Sequence, residues 1–168
     1  MAVGDALGAT LEFRPPRPPG REHTEITGGG PFGWRPGEPT DDTDLTMAVA
    51  EAYASSFSIQ GVAERFLAWY ERGPRDVGGT TASAFRAYRA TRDPRTSGRS
   101  DERSAANGSL MRTIAVGLAR PDADTRRREA AAISAITHAE PRCIAACRVL
   151  RPGRRARPQC GPIRCSRR

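Results

Sequence analysis

Residues 38–56 read E-P-T-D-D-T-D-L-T-M-A-V-A-E-A-Y-A-S-S. From Leu45 onward the apolar side chains return at steps of three and four. Leu45, Ala48, Val49 and Ala52 therefore share one face of an α-helix over about Asp42–Ser56. Thr40 stands where an N-cap belongs, and the acids after it fall in the first turn, where the helix macrodipole favours negative charge. The same period returns along the chain. Val62, Phe66, Leu67 and Tyr70 mark a second helix, started near Gly61 and stopped by Gly73-Pro74. A third runs near Thr80–Arg89, ended by the Asp93-Pro94 turn. Leu110, Ile114, Gly117 and Leu118 mark the apolar period of a fourth, ended by Arg120-Pro121. A fifth spans about Asp124–Ile136 with Ile133 and Ile136 inward, and Cys143–Leu150 reads as a short sixth. No run alternates β-branched or aromatic residues as a strand would, so the expected class is all-α.

The chain has 168 residues, the size of one domain. Its 27 basic residues are all arginine, against 19 acids. Residues 1–150 carry 20 Arg and every acid, whereas residues 151–168 carry seven Arg and none. The basic character belongs to a tail, which argues against a uniformly basic nucleic-acid-binding domain. Leu, Ile, Val and Phe together number only 25, while alanine alone supplies 26 residues. Alanine is the best helix former, so helices should form readily and pack thinly.

The expected division is a helical domain over 1–150 and an Arg/Pro-rich tail over 151–168. The tail, R-P-G-R-R-A-R-P-Q-C-G-P-I-R-C-S-R-R, has Ile163 as its one large aliphatic residue. Arg, Pro, Gly and Ala are what GC-rich DNA encodes in a wrong frame, so it reads as disordered or frameshifted. The alternative is an Arg-rich nucleic-acid anchor, whose affinity would fall linearly with log salt.

The cysteines, Cys143, Cys147, Cys160 and Cys165, match no zinc-ligand signature and read as small apolar residues. No stretch reaches the roughly 18 apolar residues of a membrane span. The N-terminus lacks the basic and apolar regions of a signal peptide. A cytoplasmic protein with no membrane contact is expected.

Glu38 to Asp44 is the sharpest chemical feature. Adjacent carboxylates repel, and a helix N-terminus offsets only about 0.3–1 kcal/mol for each. Structurally, Thr40 caps a helix and the aspartates sit in its solvated first turn. Chemically, a Thr hydroxyl and consecutive Asp carboxylates are hard oxygen ligands suited to Mg²⁺. The preceding loop, Gly28 to Gly37 (G-G-G-P-F-G-W-R-P-G), matches no phosphate-binding fingerprint. Its glycines would let backbone approach a ligand closely. The earlier R-P-P-R-P-P-G of Arg14 to Gly20 reads as a stiff surface connector.

Three further segments carry polar groups. Gly4 to Glu12, G-D-A-L-G-A-T-L-E, is a turn of small residues ending in a carboxylate. Asn107 to Arg112, N-G-S-L-M-R, opens a helix whose free N–H groups could receive a phosphate. Ile136-Thr137-His138 ends a helix before Pro141, where a histidine commonly partners the helix dipole.

In order, G-D-A-L-G-x-x-x-E, G-W-R-P-G-E-x-T-D-D-T, N-G-S-L-M-R and I-T-H-x-x-P resemble the ADP-ribosylglycohydrolase family over about Val3 to Leu150. The resemblance implies an all-α fold with a binuclear Mg²⁺ centre. It also implies a hydrolase that removes ADP-ribose from a modified protein side chain or a small ADP-ribose derivative. By motif, Thr40, Asp41 and Asp42 would be metal ligands. Glu12 or Asp41 would be the catalytic carboxylate, with the choice open. Ser104, Asn107, Gly108 and Ser109 would lie along the diphosphate, and His138 near the distal ribose or adenine. Family members also carry a second acidic motif of the D-x-D-T type, whereas this chain has no acid after Glu140. The expectation is the front part of a longer enzyme, with weak Mg²⁺ binding and little hydrolase activity. The alternative is a module that binds ADP-ribose or a nucleotide without cleaving it.

Overall fold

The computed structural model describes residues 1–149, and these are helical, with two isolated β-bridges and no strand among them. The arginine-rich tail, Cys160 and Cys165 lie outside the described residues. Seven α-helices follow in order: α1 Ala2–Gly8, α2 Asp41–Ala54, α3 Ile59–Glu71, α4 Gly79–Thr91, α5 Ile114–Ala119, α6 Ala123–Ala135 and α7 Pro141–Val149. Single 3₁₀ turns occupy Ala9–Leu11, Glu102–Ser104 and Asn107–Ser109. No helix among the described residues is long and apolar enough to cross a membrane.

Local chemistry explains the helix starts. Thr40 caps α2 by accepting from the Asp42 N–H at 3.3 Å. Ser58 caps α3 from Gly61 at 2.9 Å, and Asp122 caps α6 from Thr125 at 2.7 Å. The α2 face predicted from the 3.6 period, Leu45, Ala48, Val49 and Ala52, is buried against α3 and α5. Phe66, Phe85, Tyr88, Ile133 and Ile136 fill the rest of the core. The Arg14–Gly20 connector lies exposed and outside any helix.

The expectation for the fourth helix needs correction. Helical hydrogen bonding there begins only at Ile114, because a 3₁₀ turn and a further turn carry the chain through Thr113. Leu110, Ile114 and Leu118 are 37%, 38% and 73% exposed, while Arg112, Ala115, Val116 and Gly117 face inward. The inward face meets α2 and α6 closely, and small residues fit there. The larger aliphatics are left on the outer side.

Arg112 is the largest fully buried side chain. Its guanidinium lies 4.4 Å over the Phe66 ring. Nη2 donates to the Ile133 carbonyl at 3.2 Å and to Thr137 Oγ1 at 2.6 Å, while Nε and Nη1 find no partner among the described residues. This buried cation joins the N-G-S-L-M-R segment to the end of α6. Cys143 and Cys147 are buried one turn apart on α7 and carry free thiols.

Candidate active site

The start of α2 is held by a residue far away in sequence. The Asp5 carboxylate accepts from the Thr40 N–H (3.1 Å) and hydroxyl (2.8 Å), and from the Thr43 N–H (3.2 Å) and hydroxyl (2.5 Å). One side chain on α1 thereby satisfies two of the orphan donors of a helix N-terminus. It also fixes the direction in which the neighbouring aspartates point.

The acids of the Glu38–Asp44 cluster divide by role. Glu38 accepts from the Arg35 N–H at 2.7 Å and pairs with Arg75. Asp44 accepts from the Trp69 indole at 2.9 Å. Both are structural ties. Asp41 and Asp42 instead line a cavity of about 370 Å³, together with Glu12, Asp76, Asn107, Gly108 and His138. Gly78 to Thr81, at the start of α4, line it as well. That volume lies within the range of small-molecule sites. A larger cavity of about 490 Å³ beside Ile59, Arg92, Pro94 and Ala135 gathers none of these residues.

Electrostatics mark the same place. Burial, then the charges of Asp76, Asp42 and Asp5, push Glu12 up to about 7. Burial, followed by repulsion from Asp76, Asp42, Glu12 and Asp5, pushes Asp41 up to about 7 as well. Asp42 and Asp76 are also raised, chiefly by burial. Glu12 Oε2 is buried with no hydrogen-bond partner among the described residues. Such an uncompensated cluster is costly to build for structure alone. His138 is buried, and that burial together with the Arg112 charge pushes it down to about 4. It is therefore a neutral imidazole at neutral pH, which removes its reading as a charged partner of the α6 dipole.

The glycine-rich loop shapes the rim. The Gly29 and Trp34 backbones exchange hydrogen bonds at 2.7 and 2.9 Å, closing a tight reversal. Gly28 has φ +69°, and a Cβ there would lie 2.6 Å from the Trp34 carbonyl oxygen. The Trp34 ring lies under Arg75 at 4.4 Å, and Arg75 also donates to the Phe32 and Gly33 carbonyls. The close backbone approach that these glycines allow is thus to the protein itself.

The structure brings Glu12, Asp41, Asp42, Asn107, Gly108 and His138 together. It does not bring Thr40, Ser104 or Ser109 to that cavity. The Thr40 hydroxyl is buried between Asp5 and the Asp42 N–H. Ser104 donates to Asp101 at 2.8 Å. Ser109 Oγ lies among Ser134 and Cys147 in the core. Nor does Asn107 open an α-helix, since four residues separate its 3₁₀ turn from the start of α5. Asp5, Asp76 and the Gly78–Thr81 wall are additions. Asp5 stood within a segment read as a turn of small residues, and Asp76 follows a Gly-Pro stop that signals only the end of α3.

The family model described as ADP-ribosylglycohydrolase matches residues 1–151. The chain belongs to this family. It is 32% identical over 161 residues to the ADP-ribosylarginine hydrolase Tri1 of Serratia proteamaculans (strain 568), covering 89% of this chain and 43% of that protein. It is 35% identical over 124 residues to the ADP-ribosyl-[dinitrogen reductase] glycohydrolase of Rhodospirillum rubrum, covering 71% of this chain and 42% of that one. A solved structure, an ADP-ribosylglycohydrolase-related protein complex, superposes with a TM-score of 0.74 at 35% identity over 88% of this chain and 49% of its own. This ADP-ribosylglycohydrolase-family chain therefore spans less than half the length of these relatives.

Proposed function

We propose that the cavity binds an ADP-ribosyl group with Mg²⁺ and takes part in hydrolysing its bond to a modified protein side chain, such as arginine. The observation that carries this reading is the geometry of the cavity. Several carboxylates raised by burial meet Asn107, Gly108 and a neutral imidazole in one space. The relatives' names agree with that chemistry.

Asp41 and Asp42 fit a hard divalent cation, because both line one cavity and both are raised by burial and by neighbouring acids. Among the described residues no three His, Cys, Asp or Glu side chains close into a metal cage. Mg²⁺ keeps several waters and takes only one or two carboxylates, so a pair of acids can hold it. Support for Thr40 as a further ligand is weaker, since its oxygen already accepts from Asp42 and its proton goes to Asp5. When bound, the metal would neutralise the acids and orient ribose hydroxyls. Asp41 would then be kept ionised as a ligand, leaving Glu12 as the buried carboxyl of the cavity with a free oxygen. Its unpartnered Oε2 would take a proton from water or give one to the leaving atom, as glycoside cleavage requires. Glu12→Gln should lower release of ADP-ribose from an arginine-modified protein by about 10²–10⁴-fold while ADP-ribose still binds. Binding with no release by the unaltered chain would reduce the proposal to a binding module.

Gly108 faces His138 with no room to spare. A Cβ there would lie 2.9 Å from His138 Cε1 and 3.1 Å from Thr81 Oγ1. Gly108→Ala is expected to weaken ADP-ribose binding by about tenfold or more, corresponding to about 1.4 kcal/mol, measured by titration calorimetry.

The raised acids also set a pH dependence. Without divalent cation, Glu12 and Asp41 hold protons in the folded chain up to about 7, where unfolded carboxylates are ionised. Stability should therefore fall as pH rises from about 6.5 to about 8. Below about 6.5 the depressed His138 acts in the opposite sense, because the unfolded imidazole takes up a proton there. Mg²⁺ should raise the thermal midpoint more at about pH 8 than at about pH 6. An equal effect at both would remove the metal from Asp41 and Asp42.

A further inference from the structure

We infer that Thr137 locks His138 in the tautomer protonated on Nε2, making the imidazole a fixed hydrogen-bond donor into the cavity. The inference deepens the proposed function, but its first step rests on hydrogen-bond direction alone. Arg112 Nη2 lies 2.6 Å from Thr137 Oγ1, and a guanidinium can only donate. Thr137 Oγ1 lies 2.7 Å from His138 Nδ1. Thr137 is fully buried, and among the described residues its hydroxyl has no other partner. The hydroxyl proton therefore has one acceptor within reach, Nδ1. A protonated Nδ1 would instead donate to Oγ1, which would then accept from both neighbours and leave its own buried hydrogen without an acceptor.

The neutral ring then carries its proton on Nε2. That nitrogen has no partner among the described residues, and His138 lines the cavity beside Gly108. A Cβ on Gly108 would sit 3.2 Å from Nε2, so the glycine keeps this edge open. Backbone bonds hold the turn in place: Arg99 N–H donates to the Thr137 carbonyl at 3.0 Å, and Ala139 N–H to the Arg99 carbonyl at 2.8 Å. Thr137 is thus a positioning residue, and His138 presents one N–H to an acceptor atom. In an ADP-ribosyl ligand the acceptors available are a ribose or phosphate oxygen or an adenine ring nitrogen. A group offering only donors would be refused at this edge.

Long-range ¹H–¹⁵N correlation spectra of the ¹⁵N-labelled chain without ligand test the lock. The expected result is Nε2 protonated and Nδ1 bare in roughly tenfold or greater excess over the other tautomer. Thr137→Val should lose that bias, and Thr137→Ser should restore it. Protonation on Nδ1 in the unaltered chain, or the same bias in Thr137→Val, would overturn the assignment. Should Thr137→Val not fold, the spectra of the unaltered and Thr137→Ser chains still decide. Adding ADP-ribose reports on the ligand separately. A displaced Nε2–H signal supports the proposed function, whereas an unmoved one counts against that function while the lock stands.

Discussion

Asp5→Ala is expected to lower the urea midpoint more than any other single change at the site. Four hydrogen bonds end on this carboxylate, and two come from Thr40, which is buried. A hydrogen bond to a charged group contributes about 1.5–3 kcal/mol, and the four are not additive because they share one acceptor. Removing the carboxylate also leaves buried donors without partners. The expected loss is about 3–5 kcal/mol, a large share of the 5–15 kcal/mol typical of a folded domain. Asp5→Asn keeps one acceptor oxygen and should fall between the two. Asp5 also contributes to the repulsion that raises Glu12 and Asp41, so removing its charge should lower both of those acids. Urea midpoints together with carboxyl titrations by NMR would show both effects. An Asp5→Ala chain as stable as the original would mean that α2 does not depend on this anchor.

Gly98→Ala is the second large effect. A Cβ at this position would lie 2.0 Å from the Ala135 carbonyl oxygen and 3.0 Å from its carbon. Those are backbone atoms at the end of α6 and cannot rotate away. Segment 97–99 would have to separate from the turn that carries His138. The bonds at risk are Arg99 to Thr137 (3.0 Å), Ala139 to Arg99 (2.8 Å) and the Ser97 hydroxyl to the Ile136 carbonyl (2.7 Å). Overpacking costs about 1–3 kcal/mol and each lost bond about 0.5–1.5 kcal/mol, so a loss of about 3 kcal/mol or more is expected. The His138 tautomer signal should broaden or vanish with it. Gly4→Ala is the control, because a Cβ there meets nothing within 4 Å. In a helix that change should be neutral or slightly stabilising. Equal midpoints for the two variants would contradict the contact.

Helix existence was legible where burial follows the 3.6 period, as in α2, α3 and α6. It was misread at α5, where Leu110, Ile114 and Leu118 have helical spacing but the inward face is made of Arg112, Ala115, Val116 and Gly117. Periodicity identifies a face without saying which way it points when the opposite face is small. Asp41 and Asp42 stood out as adjacent acids at a helix start, and the folded chain places both on the cavity wall. Ser104 and Ser109 were placed by motif, yet their hydroxyls are taken up by Asp101 and by Ser134 and Cys147. Asp5, Asp76 and Gly98 act through partners about 35 or more residues away. A linear reading has no signal for such contacts, because only the folded chain brings them together.

Calorimetric titration of the chain with ADP-ribose, with and without Mg²⁺, tests the central claim most directly. The cavity assignment predicts binding that requires Mg²⁺ and is abolished in the Asp41→Asn, Asp42→Asn double variant, with the fold intact by circular dichroism. Equal affinity without Mg²⁺, or unchanged binding in the double variant, would contradict it.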